Sequence, residues 1–198
     1  MKRTLTRGPR RARQARDRGR GIALVEFALI LPILIILVLA TVDFGRLIQT
    51  RLILSNVSRE GGSLASRQTV VDTSLVTVLS QSGMPLNFGG PYGKIFITRI
   101  SAGTSAGAPN PTITSVATKG GLAVTSKIGA GNPNLGLTRN VYNHLVFNST
   151  NATSDIAEVT VVEVYYKYRP ITPLPKGFMY SMLTPNTDGL IVMSKAVF

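Results

Sequence analysis

Between Glu26 and Asp43 the chain runs for sixteen residues without a charge, Phe27 to Val42, and twelve of these are Leu, Ile, Val or Phe. At roughly −0.3 to −0.6 kcal/mol each, they favour transfer into a bilayer by about 4 to 7 kcal/mol. Glu26 opposes insertion by ~3 kcal/mol if held deep and by less near the interface, so the balance still favours the membrane. Ile22 to Val42 is 21 residues. As a helix that is about 31 Å, enough to cross the hydrocarbon core once.

Charge gives the span a direction. With 22 Lys+Arg against 9 Asp+Glu the net charge is +13, which alone suggests a nucleic acid or an anionic surface as partner. Its distribution argues for another role. Met1 to Arg20 hold nine basic residues (Lys2, Arg3, Arg7, Arg10, Arg11, Arg13, Arg16, Arg18 and Arg20) against Asp17, a net +8, and the other 178 residues share +5. A basic arm set directly against a span controls topology, and only Arg46 and Arg51 follow closely on the far side. The positive-inside rule puts the N-terminus in the cytoplasm and everything beyond about Asp43 outside it. No nucleic-acid partner is expected.

The remaining length allows one modest core, which excludes a large multidomain enzyme. The absence of cysteine removes disulfides, thiol nucleophiles and Cys metal sites, and leaves the redox compartment undetermined. Past the span, Phe44, Leu47, Ile48, Leu52, Leu54 and Val57 recur mostly at three- and four-residue steps among polar residues, so the helix is predicted to continue. Gly61-Gly62 weakens the pattern, and the end is expected between there and Gln68. A second short helix is predicted from Asp72 to Gln81, stopped by Gly83 and Pro85.

From Pro85 onward, short apolar runs alternate with Gly, Pro, Asn and Ser, the pattern of an antiparallel sheet with surface loops. Predicted strands are Lys94 to Ser101, Thr112 to Thr118, Leu122 to Ile128, Ala157 to Tyr168 and Leu190 to Phe198. In the fourth, Val162, Val164, Tyr166 and Tyr168 share one face and Glu163, Tyr165 and Lys167 the other, as expected of a half-buried strand. Residues 101–111 and 129–134 read as flexible loops, and any surface specificity is expected within 101–134. The fold class expected is α+β. A leader (1–21) precedes an N-terminal helix (22–68, spanning about 22–42, with a kink near Pro32) and a mostly β extracytoplasmic part (69–198).

Arg20-Gly21-Ile22-Ala23-Leu24-Val25-Glu26-Phe27 ahead of an apolar helix resembles the processing site of a type IV prepilin. More narrowly, Gly-x-x-x-Val-Glu-Phe-Ala, Leu31-Pro32 and Asp43-Phe44-Gly45-Arg46 resemble the TadE-like pseudopilins of tight-adherence (Flp) pilus systems. Arg59-Glu60-Gly61 through Ala65 is similar to the family's Arg-Glu-Gly-Ala segment, with Gly62 where alanine is usual. The strand around Val161 to Tyr166 and the stretch Arg169-Pro170-Ile171-Thr172-Pro173-Leu174 are similar to its hydrophobic strand and Pro-Leu-Thr-Pro ending.

The resemblance implies a pilin-like fold and a single-pass inner-membrane precursor. A dedicated aspartic prepilin peptidase would cut it on the cytoplasmic side, between Gly21 and Ile22, before it joins or primes a pilus. Implied partners are that peptidase, other pilins or pseudopilins, and the inner-membrane assembly platform. Glu26 becomes the fifth residue of the mature chain and is expected to pair with the new α-amino group at Ile22 of a neighbouring subunit; Phe27, Pro32, Asp43 and Gly45 are expected to shape and pack the helix. The chemistry agrees. Glycine before the scissile bond presents backbone without a Cβ, and a carboxylate at the bilayer edge calls for a partner.

Two other arrangements are compatible with the residues. Phe27 to Leu39 with Val38-Leu39-Ala40 satisfies the pattern of a secretory signal cut before Thr41, and an uncut anchor could present an adhesive or carbohydrate-binding sheet. Catalysis has no foothold: His144 is the sole histidine and is expected in a turn or a half-buried structural role near a short strand. No ligand-spaced metal cluster, nucleophile elbow or phosphate loop occurs in the sequence. No catalytic residue, metal or cofactor is expected.

Overall fold

The computed structural model describes residues 10–67, 73–150, 153–171 and 189–198. Helix α1 (Arg10–Arg67) is 58 residues long and continues through Pro32. The proline ring removes one backbone donor and leaves the Ala28 carbonyl without its usual partner, a loss that membrane helices tolerate. The helix ends inside the predicted interval. Helix α2 (Thr73–Ser82) matches its prediction to within a residue, with Asp72 outside the described residues. Strands β1 (Gly93–Ser101), β2 (Thr112–Lys119), β3 (Glu158–Tyr168) and β4 (Leu190–Val197) form one antiparallel sheet in the order β2-β1-β3-β4. The architecture is α+β, with a long apolar N-terminal helix ahead of a four-stranded antiparallel sheet.

The second half of α1 lies on one face of that sheet. Its buried positions are Asp43, Thr50, Leu54, Val57, Ser58, Gly61, Gly62 and Ala65, a stripe at three- and four-residue spacing. Several of these side chains are small, so the helix axis comes close to the strands. A Cβ at Gly61 would stand 2.7 Å from Leu79 Cδ1 and 3.2 Å from Val162 Cγ1. The glycines expected only to weaken the helix are therefore part of its contact surface. Leu54 and Val57 share a core with Leu79 of α2 and Ile97, Val162 and Val164 of the sheet, and Ser58 Oγ meets Ser194 Oγ at 2.8 Å. A fragment beginning at residue 69 would lack this layer of the core.

The other face is covered too, and this corrects the expectation of a half-buried sheet. Helix α3 (Arg139–Leu145) and the chain around Leu122, Ile128 and Leu137 cover β1 and β3 there. β3 is consequently buried from Val159 to Tyr165. The alternation along it holds, with Val162 and Val164 toward α1 and Tyr165 against Phe96 and Leu122. Leu122 to Ile128 is not a strand. Its polar groups bind side chains rising from the sheet: Lys94 Nζ donates to the Val124 carbonyl at 3.2 Å, and Lys127 N–H donates to Glu163 Oε1 at 3.1 Å. Residues 122–137 thus serve as a cover over the sheet, and surface specificity cannot reside in their buried members.

His144 sits at the end of α3, where no helix was predicted. Its side chain is 43% exposed, and Nδ1 lies 2.7 Å from Asp155 Oδ2. Seven residues are too few to show a helical period in the sequence. Here the helix is placed by Leu145, which enters the core, and by the Leu145 and His144 carbonyls, which accept N–H bonds from Gly103 and Ile156.

Candidate functional site

From Gly21 to Val38 every residue of α1 is exposed. In its most apolar window, within 21–67, no residue is buried, and Ile22, Phe27, Leu29 and Ile33 all keep more than half of their surface exposed. Soluble proteins do not leave so large a continuous apolar surface to water, because each Å² removed from water is worth roughly 25 cal/mol. Lipid or other helices must cover it. By length and composition α1 is a helix able to cross a membrane once.

The expected site residues fall along this helix. Gly21, Ile22, Glu26, Phe27 and Pro32 are all exposed, and a Cβ built at Gly21 meets nothing within 4 Å. Ile22 and Glu26 are four residues apart and so lie on the same helix face, about 5 to 6 Å from one another at Cβ. Gly45 is equally open. Asp43 is different. It is 2% exposed, its Oδ1 accepts the Ile171 N–H at 3.1 Å, and its carbonyl accepts the Tyr168 hydroxyl at 2.9 Å. Asp43 therefore ties the end of the apolar run to the end of β3 of its own chain. On the opposite side of α1, Phe44, Ile48 and Leu52 form an exposed apolar stripe that extends the span's surface beyond Asp43. The segment Thr172-Pro173-Leu174 of the Pro-rich ending lies outside the described residues.

Two buried charges escaped the sequence reading. The Arg99 side chain is 7% exposed, with Nε 2.6 Å from Glu158 Oε1. Its NH2 group donates to the Ala65 carbonyl at 2.8 Å, a cation placed at the negative C-terminal end of α1. Glu163 is fully buried on the opposite face. It accepts the Ser126 hydroxyl, Lys127 N–H at 3.1 Å and the Tyr165 hydroxyl at 3.1 Å. Each is a single charge inside a β-branched or aromatic run, Thr98-Arg99-Ile100 and Val162-Glu163-Val164. That pattern was a readable signal that a buried partner existed.

Burial, then the nearby Glu163 charge and hydrogen bond, hold the Tyr165 hydroxyl well above its ordinary value of 10.0. Above about pH 10 an unfolded chain loses this proton while the folded chain keeps it, so the stability Tyr165 contributes at neutral pH is lost as pH rises. Burial lowers Lys195 from 10.5, with Glu163 acting in the opposite sense. Lys195 offsets part of the loss, because its folded-state penalty is relieved on deprotonation. Tyr165→Phe is expected to lower stability by ~1 kcal/mol at pH 8 through the lost hydrogen bond and to flatten the decline between pH 8 and 11. Denaturant titrations of the full chain in detergent measure both effects. A decline as steep as in the parent would rule out Tyr165 as its source.

Residues 21–63 match the family model described as TadE-like protein. Searches of curated proteins and of solved structures gave no match. The matched segment opens at Gly21 and runs to Ser63, so it takes in the apolar run and most of the stripe that packs on the sheet.

Proposed function

We propose that this chain, TadE-like over residues 21–63, is a minor pseudopilin of a tight-adherence pilus system, processed after Gly21 and used as a structural or assembly-initiating subunit. The family points to a pilus-associated pseudopilin, and its members are structural components of the pilus. One observation carries the reading furthest: the family match covers the apolar run that follows the basic arm, and that run, exposed from Gly21 to Val38, continues without a break into the helix that packs on the sheet. A helix built this way anchors the chain and offers a long lateral surface for other helices.

In this account the basic arm holds the Gly21–Ile22 bond at the cytoplasmic face of the inner membrane, where anionic headgroups attract it. Cleavage by a prepilin peptidase removes a net +8 and creates an α-amino group at Ile22. Glu26 pairs with that group on a neighbouring pilin. Hydrophobicity supplies little drive for association within lipid, so lateral assembly depends on close packing and polar pairing. The exposed Phe44, Ile48 and Leu52 continue the same contact beyond the bilayer.

Glu26→Leu should leave cleavage intact while weakening association with other pilins, since an interhelical polar contact in lipid is worth about 1 to 2 kcal/mol, or roughly 5- to 30-fold. Co-purification of the tagged variant from its native membrane, together with its mature mass, reads both parts. Undiminished recovery of the other pilins would mean the carboxylate is dispensable.

A further inference from the structure

We propose that the outer edge of β4 receives an edge strand from the extracytoplasmic part of a different membrane-anchored chain, the same neighbour whose helix covers Phe44 and Ile48; the inference rests on the pseudopilin reading and names how one partner engages. β4 is an edge of the sheet. Phe198 exchanges two backbone bonds with Thr160, its N–H donating at 2.9 Å and its carbonyl accepting at 2.8 Å. The ladder with β3 then continues without a register shift from Val197 to Leu190. Alternation along an antiparallel pair therefore turns the N–H and C=O groups of Val197, Lys195, Met193 and Ile191 away from β3. Among the described residues, no backbone hydrogen bond from outside the ladder reaches these groups. Little else blunts the edge: β4 holds no proline or glycine, and its one charged side chain, Lys195, donates Nζ to the Gly136 carbonyl at 2.7 Å. On the opposite edge, Thr114 interrupts the register of β2 with β1, and such an irregularity turns an edge away from pairing.

The position of α1 identifies the occupant. The helix rests on β3 and β4 and runs parallel to β4: Asp43 is tied to Tyr168, which pairs with Leu190, while Ser58 meets Ser194 and Gly62 lies against Phe198. At about 100° per residue, Phe44, Arg51, Ser55 and Gly62 fall within about 20° of one line along the helix. Because Gly62 faces β4, that whole line overhangs β4, and exposed Phe44 and Ile48 carry the apolar surface of the span to the open edge. Arg51 is exposed on the same line, which favours a partner with a carboxylate at that level. Packed helices stand about 8 to 10 Å apart, or two strand spacings of ~4.8 Å. A helix beside α1 therefore lies over the first two strands beyond β4. A twist of roughly 20 to 25° per strand sets it at about 40 to 50° to α1, close to the commonest crossing angle of packed helices. Each span then tilts by about 20°, the average for membrane helices.

A second copy of this chain does not meet these conditions. A two-fold pairing of β4 with another β4 either reverses α1 or moves it to the opposite face of the sheet. Pairing β4 with the β2 of a second copy sets equivalent helices four strands apart, at roughly 80 to 100°, beyond the tilts that spans adopt. The occupant is a different chain that carries its helix over its own edge strand.

The chain contains no cysteine, so a single introduced thiol can carry a benzophenone crosslinker. Ile48→Cys reports on the helix flank and Val197→Cys on the sheet edge, each in the full chain in native membranes. The expected result is that both sites capture one and the same chain, different from this one. Adding Ile191→Pro, which removes an outward N–H, should lower capture by Val197→Cys about 5-fold and leave the unfolding midpoint in detergent unchanged. Capture by Val197→Cys of a second copy, of a chain other than the one caught by Ile48→Cys, or of nothing overturns the proposal. Capture of another pilin by Ile48→Cys upholds the pseudopilin reading whatever the edge does, and no capture at either site removes both. Hydrogen exchange of the full chain alone in detergent reads the edge itself. The Lys195 and Val197 amides should exchange at least ~10-fold faster than those of Ser194 and Ala196. Equal protection of the two sets would mean that the chain covers its own edge, and would overturn the proposal.

Discussion

Gly21→Leu is expected to abolish processing and leave the full 198-residue chain in the membrane. The structure isolates the cause, because a Cβ at Gly21 meets nothing within 4 Å. The fold thus has no reason to change, and any effect must arise where an enzyme approaches the backbone. Two terms act together. A leucine side chain holds the scissile carbonyl away from a closely fitted active site, and a misplacement of about 1 Å is enough to cost on the order of 100-fold in rate. The bond also lies inside α1, whereas a protease needs extended chain. Glycine is about 0.8 to 1 kcal/mol worse than alanine in a helix, so Gly19 and Gly21 lower the expense of local unwinding that leucine would restore. Immunoblots of membranes from cells carrying the variant distinguish precursor from a mature form shorter by 21 residues. Normal conversion of Gly21→Leu would remove the peptidase site from the account.

The largest stability effect is expected at Glu163. Glu163→Ala leaves the Ser126 hydroxyl, Lys127 N–H and Tyr165 hydroxyl without their shared acceptor and opens a void beneath the cover formed by residues 122–137. Each buried polar group left unpaired costs about 1 to 3 kcal/mol, and partial rearrangement brings the sum to about 3 to 5 kcal/mol. That is a large part of the 5 to 15 kcal/mol typical of a folded domain. Glu163→Gln keeps an acceptor oxygen and most of the volume, so about half the loss is expected. Chemical unfolding of the full chain in detergent reads the difference, and a change below ~1 kcal/mol for Glu163→Ala would show that the cover is held by apolar contacts alone.

How far each element could be read from the sequence follows from its physics. The span and its continuation were legible because sixteen uncharged residues and then a three-to-four periodicity admit few other structures. β1, β2, β3 and β4 lie close to the predicted strands, and the two faces of β3 follow from alternation. Leu122 to Ile128 misled because its apolar residues alternate as a strand's would. What places them is Glu163, distant in sequence, which takes the segment's polar groups. α3 is short and held by tertiary contacts, so local propensity could not reveal it. Gly61-Gly62 was visible but misjudged: the pair weakens a helix in isolation, yet here Gly61 lets α1 approach Leu79 and Val162 while Gly62 lies against Phe198.

The central claim is that the chain becomes a mature pseudopilin by a cut after Gly21, and the mass of its N-terminus tests that most directly. Intact-mass measurement or N-terminal sequencing of the protein from native membranes, with and without the prepilin peptidase, should find a chain beginning at Ile22 only when the peptidase is present. A start at Thr41, or an uncut chain in both strains, would contradict the account and leave an exported domain or a simple membrane anchor in its place.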